Sequence, residues 1–201
     1  LYMPGSLERA LEKAKTLAAD SLILDLEDAV APEAKDKART QAGDAVRDGG
    51  FGRREVAIRI NGLDTPYGLA DLEMAATVRP DAILIPKVQT PDDINQVRAE
   101  LAERPRGGPI QLWAMIETPL AILNIREIAA QAADEAAPLS CFVLGTNDLV
   151  KETRVRPGPD RMPLIPWLAT TLAAGRAFGL DVIDGVYNNL HNQEGFRAEC
   201  E

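Results

Sequence analysis

Charged side chains recur where apolar runs end. Asp25-Leu26-Glu27-Asp28 closes the run Ser21-Leu22-Ile23-Leu24 and sets three carboxylates within four residues. Alternation along an extended chain puts Asp25 and Glu27 on one face, with Asp28 opening the next loop. Such a group is costly near a core unless positive charge compensates it. Pairing with lysines such as Lys35 is its plain structural use, and a reacting site is the other. Arg59, in Ile58-Arg59-Ile60-Asn61, is a guanidinium inside an apolar run, so it must face carboxylates, phosphates or solvent. It suits two-pronged binding of a substrate carboxylate, or an ion pair with Glu27 or Asp28, and the two uses are compatible.

Glu117 follows Leu112-Trp113-Ala114-Met115-Ile116, and Asp148 follows Leu144-Gly145-Thr146-Asn147. Two carboxylates at adjacent strand ends, with no histidine or cysteine nearby, form a hard oxygen site of the kind Mg²⁺ prefers. Capping of the next helix is the structural alternative. Lys87, after Ile85-Pro86, could form a Schiff base only with a lowered pKa. Neighbouring carboxylates raise it, so a charge-balancing role is expected. His191 stands among asparagines and reads as a solvated loop residue. Cys141 inside a strand and Cys200 near the end do not read as nucleophiles.

Alternating runs must position these groups. Strands are expected near 1–3, 22–27, 56–60, 82–87, 111–116, 141–145 and 182–186, and helices over about 7–19, 32–48, 67–78, 91–104, 119–133 and 164–178. Nearly continuous hydrophobic strands belong to parallel sheets buried on both faces. Asp64-Thr65-Pro66, Gln89-Thr90-Pro91 and Glu117-Thr118-Pro119 each offer a threonine helix cap before a proline at the first helical position. Residues 153–163 form one basic, loop-like interruption.

Strand spacing is mostly about 26 to 34 residues, so eight βα units need roughly 240 residues, and this chain holds seven strands. A (β/α)₈ TIM barrel is therefore expected over 1–201 as a single domain, with its final strand missing. A doubly wound sheet is the alternative, weakened by the lack of a glycine-rich dinucleotide or Walker fingerprint.

Composition narrows the function. Of 201 residues, 22 are Lys or Arg and 31 are Asp or Glu, a net charge of −9 that disfavours nucleic acid and anionic membranes as partners. Two cysteines and one histidine are too few and too scattered for a usual zinc site or a disulfide framework, which suits the cytoplasm. No apolar run approaches the ~20 residues of a membrane-spanning helix.

Taken in order, Met3-Pro4-Gly5-Ser6 with Arg9, Leu24 to Lys35, Ile58-Arg59-Ile60-Asn61, Ile85-Pro86-Lys87-Val88, Ile116-Glu117-Thr118-Pro119, Leu144 to Leu149 and Asp184-Gly185-Val186-Tyr187 resemble the citrate lyase β-subunit-like group of the HpcH/HpaI aldolase superfamily. The resemblance implies a TIM barrel that binds Mg²⁺, forms trimers or hexamers, and makes or breaks a carbon–carbon bond between an acyl-coenzyme A and an α-keto acid. It assigns Glu117 and Asp148 to the metal, and Arg59 to the keto-acid end of the substrate. Glu27 and Asp28 become the acidic pair beside the metal, Arg9 a contact to coenzyme A, and Thr118 part of the substrate site. It also places an eighth strand and a C-terminal lid with an acid/base aspartate beyond residue 201, so the chain is expected to be incomplete at both termini. The expected activity is cleavage of a malyl- or citramalyl-type thioester. An aldolase of free hydroxy-keto acids, a citrate lyase β-subunit working on an acyl-carrier protein and a non-catalytic barrel are the alternatives.

Overall fold

A computed structural model describes residues 1–104, 110–134, 137–158 and 160–201. Seven parallel strands pair in sequential order: β1 (Tyr2–Pro4), β2 (Ser21–Asp25), β3 (Glu55–Arg59), β4 (Ala82–Ile85), β5 (Gln111–Ile116), β6 (Leu139–Leu144) and β7 (Asp181–Ile183). A doubly wound sheet would break that order at a switch point. The unbroken succession is that of a TIM-type barrel carried through seven strands.

Each strand splits its residues between two apolar layers. Ile23, Ala57, Leu84, Trp113, Met115, Cys141 and Val143 pack together on the inner face. Leu22, Leu24, Ile58, Ile83, Leu112 and Phe142 belong to the larger core beneath the helices. That double burial explains why the strands read as unbroken apolar runs. It also dictates the site, because residues two steps on along the inner face emerge together at the strands' carboxyl ends.

The helices are α1 (Glu8–Ala14), α2 (Lys35–Asp48, entered through a 3₁₀ turn at Pro32–Ala34), α3 (Gly68–Val78), α4 (Pro91–Ala102), α5 (Pro119–Leu123), α6 (Ile125–Ala129), α7 (Thr146–Thr153), α8 (Ile165–Ala177) and α9 (Gln193–Cys200). Two of the three expected threonine caps form. Thr118 Oγ1 accepts the Ala121 N–H at 3.1 Å, and Thr90 opens α4 with Asp93 Oδ2 accepting the Thr90 N–H at 2.8 Å. Thr65 does not cap a helix. Its hydroxyl donates to the Gly62 carbonyl at 2.7 Å, closing a turn, and α3 starts three residues later.

The helix expected over 119–133 is split at Asn124, whose amide donates to the Gln89 carbonyl at 3.0 Å. Helices α7 and α9 were not expected. The first extends into the 153–163 stretch, where Pro159 lies outside the described residues. His191 is exposed before α9, as expected of a solvated loop residue. Among the described residues, no helix is long and apolar enough to cross a membrane.

Candidate active site at the carboxyl ends of the strands

The parallel ladder sets Asp25 of β2 beside Arg59 of β3. They close a two-pronged bridge, with Nε donating to Oδ1 at 2.7 Å and Nη2 to Oδ2 at 2.6 Å. Asp25 also accepts the main-chain N–H of Glu27 at 2.9 Å and of Ala29 at 3.0 Å, which folds the following loop back over the strand end. The remaining nitrogen, Nη1, lies 3.0 Å from Glu27 Oε2 and 3.8 Å from Asp28 Oδ2, and it donates to Met115 Sδ at 3.3 Å. The Tyr2 ring covers the guanidinium, 5.1 Å from Cζ to the ring centroid. Burial opposes the Arg59 charge, but the hydrogen bonds and charges of Asp25, followed by Glu27, outweigh it and hold the group protonated.

Glu27 is buried and bridges Arg59 to Lys87, whose ammonium donates to Oε1. Lys87 has a left-handed backbone, φ 51°, sparsely populated for a residue with a Cβ. In that conformation its N–H donates to Glu117 Oε1 at 2.8 Å while its side chain reaches Glu27. The charge-balancing role expected of Lys87 thus has a geometric form.

Glu117 is fully buried, and its second oxygen, Oε2, has no hydrogen-bond partner. Burial pushes its carboxyl up to about 7; the Lys87 N–H opposes the rise, and the negative charges of Glu27 and Asp148 add to it. At the end of β6, Gly145 passes so close that a Cβ there would lie 2.6 Å from Oε2. Half-buried Asp148 follows in the first turn of α7. Tyr2, Asp28, Arg59, Met115 and Asp148 share the lining of one cleft of about 320 Å³. A second, of about 680 Å³, is lined by Glu27, Asp28 and Lys87, so Asp28 borders both.

Among the described residues, no three His, Cys, Asp or Glu side chains are grouped to hold a metal ion. The donors present still fit Mg²⁺. A buried carboxylate oxygen without a partner lies in the field of a second carboxylate, Asp148, that borders open space, and this ion takes hard oxygens of that kind.

Five of the seven expected site residues, Glu27, Asp28, Arg59, Glu117 and Asp148, meet at this mouth. Thr118 is behind Glu117, with its hydroxyl committed to the α5 cap. Arg9 is exposed on α1 and lines neither cleft. Lys35 departs from expectation. Its ammonium donates to the carbonyls of Leu26 (2.8 Å) and Glu27 (2.7 Å) and to Asn61 Oδ1 (2.8 Å), and to no carboxylate. Asp71, buried on α3, accepts the Asn61 N–H at 3.0 Å and Arg39 Nε at 2.7 Å, so this second network anchors the loop after β3. Asp71, Tyr2, Met115 and Gly145 were not singled out from the sequence. For Tyr2 and Met115, inner-face alternation with Asp25 and Glu117 was the available signal.

The sequence matches the HpcH/HpaI aldolase/citrate lyase family over residues 1–201. The chain belongs to this family. It is 48% identical over 201 residues to a (3S)-malyl-CoA thioesterase of Cereibacter sphaeroides, covering all of this chain and 67% of that protein. It is 34% identical over 220 residues to an L-malyl-CoA/beta-methylmalyl-CoA lyase of the same species, covering all of this chain and 69% of that protein. Among solved structures, the CitE protein of Mycobacterium tuberculosis in complex with magnesium, acetoacetate and coenzyme A superposes with a TM-score of 0.78 at 26% identity, over 98% of this chain and 68% of that one. The resemblance read from the motifs therefore holds. The lyase reaction expected from it is one of two activities named among these relatives, and the more similar relative is a thioesterase.

Proposed function

We propose that this protein is a Mg²⁺-dependent enzyme of short 3-hydroxyacyl-coenzyme A thioesters of the malyl type, and that it hydrolyses them. The observation that carries the reading is the unpartnered, buried Glu117 Oε2 within the electrostatic reach of Asp148, which shares a cleft with a guanidinium that Asp25 holds rigidly. Glu117 and Asp148 would hold Mg²⁺, which when bound would supply Lewis-acid polarisation of a substrate oxygen. Asp25 fixes the guanidinium of Arg59 through Nε and Nη2, and Nη1, now against Glu27 Oε2 at 3.0 Å and Met115 Sδ at 3.3 Å, would exchange its Glu27 contact for the substrate's free carboxylate. Glu27 stands between Arg59 and Lys87 and balances part of the positive charge of both.

Asp28, with its side chain about half exposed, borders both clefts and is the base that takes a proton from the attacking water. The water oxygen bonds to the thioester carbonyl carbon, the carbon–sulfur bond breaks, and the proton ends on the coenzyme A sulfur. Thr118 contributes by fixing the start of α5 behind Glu117.

The second reading is the carbon–carbon lyase, supported by the 34% identical relative and by the same Arg59–metal pairing. There Asp28 accepts the proton of the substrate hydroxyl, the adjacent carbon–carbon bond breaks, and its electron pair passes to the carbon next to the thioester, which is then protonated. An α-keto acid and a shorter acyl-coenzyme A result.

Product analysis separates the two. Malyl-, citramalyl- and citryl-coenzyme A are incubated with the protein in Mg²⁺ or chelator, beside Glu117→Ala. Free thiol without α-keto acid, dependent on metal and on Glu117, is expected. Stoichiometric α-keto acid would replace hydrolysis by the lyase reading. No turnover of any thioester by folded protein, or turnover indifferent to chelator, would overturn both.

A further inference from the structure

We infer that Met115 is the floor of the acid-binding cleft and limits the size of the group on the substrate's hydroxyl-bearing carbon. The inference rests on the proposed malyl-type site and adds a selectivity to it. Met115 stands two residues before Glu117 on β5, so both side chains leave the inner face of the same strand end. Its sulfur accepts from Arg59 Nη1 at 3.3 Å and lies 4.0 Å from the Tyr2 hydroxyl, and the side chain lines the same cleft as Arg59, Asp28 and Asp148. Its terminal methyl would lie 3.0 Å from a Cβ placed on Gly145, the residue that touches Glu117. The side chain therefore spans the floor between the guanidinium and the two carboxylates.

A hydroxy acid whose carboxylate meets Arg59 and whose hydroxyl lies toward Glu117 and Asp148 would bring the carbon joining those groups down onto this floor. A hydrogen there fits over the thioether. A methyl must displace it, and the sulfur's contacts with Arg59 and Tyr2 leave it little room to move. Methionine is unbranched and fills irregular gaps, so its length matters here more than its polarity.

The test uses fragments that share the acid end, so it does not depend on which bond the enzyme breaks. Binding of glyoxylate and pyruvate, which carry hydrogen and methyl at that carbon, is measured by calorimetry in Mg²⁺. Wild type, Met115→Ala and Met115→Leu are compared. Wild type is expected to prefer glyoxylate. Met115→Ala should raise the relative affinity for pyruvate by roughly tenfold, the scale of one methyl in a fitted pocket. Met115→Leu, which conserves volume and removes the sulfur, should keep the wild-type preference.

If the alanine variant fails to fold, Met115→Val carries the same comparison with a smaller truncation. Equal changes for both acids would show that Met115 only supports Arg59, and the inference falls. So it does if Met115→Leu relaxes selectivity as alanine does, because the sulfur and not the volume would then be responsible. Failure of wild type to bind either acid would remove the malyl-type site itself, and with it the floor.

Discussion

Replacing Asp25 by asparagine tests the rigidity on which the site depends. The carboxylate is fully buried and accepts four hydrogen bonds, two from Arg59 and two from the main chain of the loop it folds. The amide keeps the shape but removes the charge, and it turns one acceptor into a donor facing donors. Breaking one side of a buried pair costs about 3–5 kcal/mol. Glu27 still partners Arg59 at 3.0 Å, so the lower end, about 3 kcal/mol, is expected. At about 2–4 °C per kcal/mol for a chain of this size, the melting temperature should fall by about 6–12 °C.

Urea denaturation followed by circular dichroism measures the loss. Asp44→Ala serves as a control, because its pair with Arg47 is more than half exposed on both sides and should change stability by less than about 1 kcal/mol. Arg59→Met added to Asp25→Asn removes the orphaned charge, so the double variant should lose at least about 1 kcal/mol less than the two singles together. A loss below about 1 kcal/mol for Asp25→Asn, or strict additivity in the double variant, would refute the claim that this bridge fixes Arg59.

Two further outcomes follow from Glu117. Gly145→Ala places a methyl against Glu117 Cβ and 2.6 Å from its Oε2, so Glu117 must shift and Mg²⁺ affinity measured by calorimetry should drop at least about tenfold; undiminished binding by folded protein would remove Glu117 from the metal site. Burial raises the Glu117 carboxyl from 4.5 to about 7, so the folded state holds its proton more tightly than the unfolded chain. This group's contribution is therefore fully present below pH 4.5 and is lost as pH rises through about 7, on the order of 3 kcal/mol in metal-free protein. The stability difference between Glu117→Gln and wild type should widen in the variant's favour from pH 5 to pH 7.5, and a constant difference would contradict the buried, unpaired carboxylate.

Much of this architecture was legible because burial on both faces leaves a plain mark. The seven strands are unbroken apolar runs, and Thr90 and Thr118 before proline announce α4 and α5 with their own hydrogen bonds. Where local chemistry admits two outcomes, the sequence alone was insufficient. Thr65 has the same Thr-Pro context, yet its hydroxyl finds the Gly62 carbonyl and the helix begins later. Asn124 ends α5 because the Gln89 carbonyl, 35 residues away in the chain, draws its amide.

The sequence by itself determined which charged groups gather at the strand ends, since side chains at the ends of apolar strands must emerge where the inner face opens. Only the tertiary structure decided their partners. Asp25 claims Arg59 because parallel register sets them side by side. Lys35 turns to carbonyls because α2 holds it under the loop and away from the carboxylates. Glu117 is left with one unpaired oxygen because Gly145 closes over it and Lys87, in a left-handed turn, satisfies only the other. Residue type and period-two alternation are local properties. Pairing across 30 or more residues is set by ladder register and by which backbone comes close, and neither is written in any one segment.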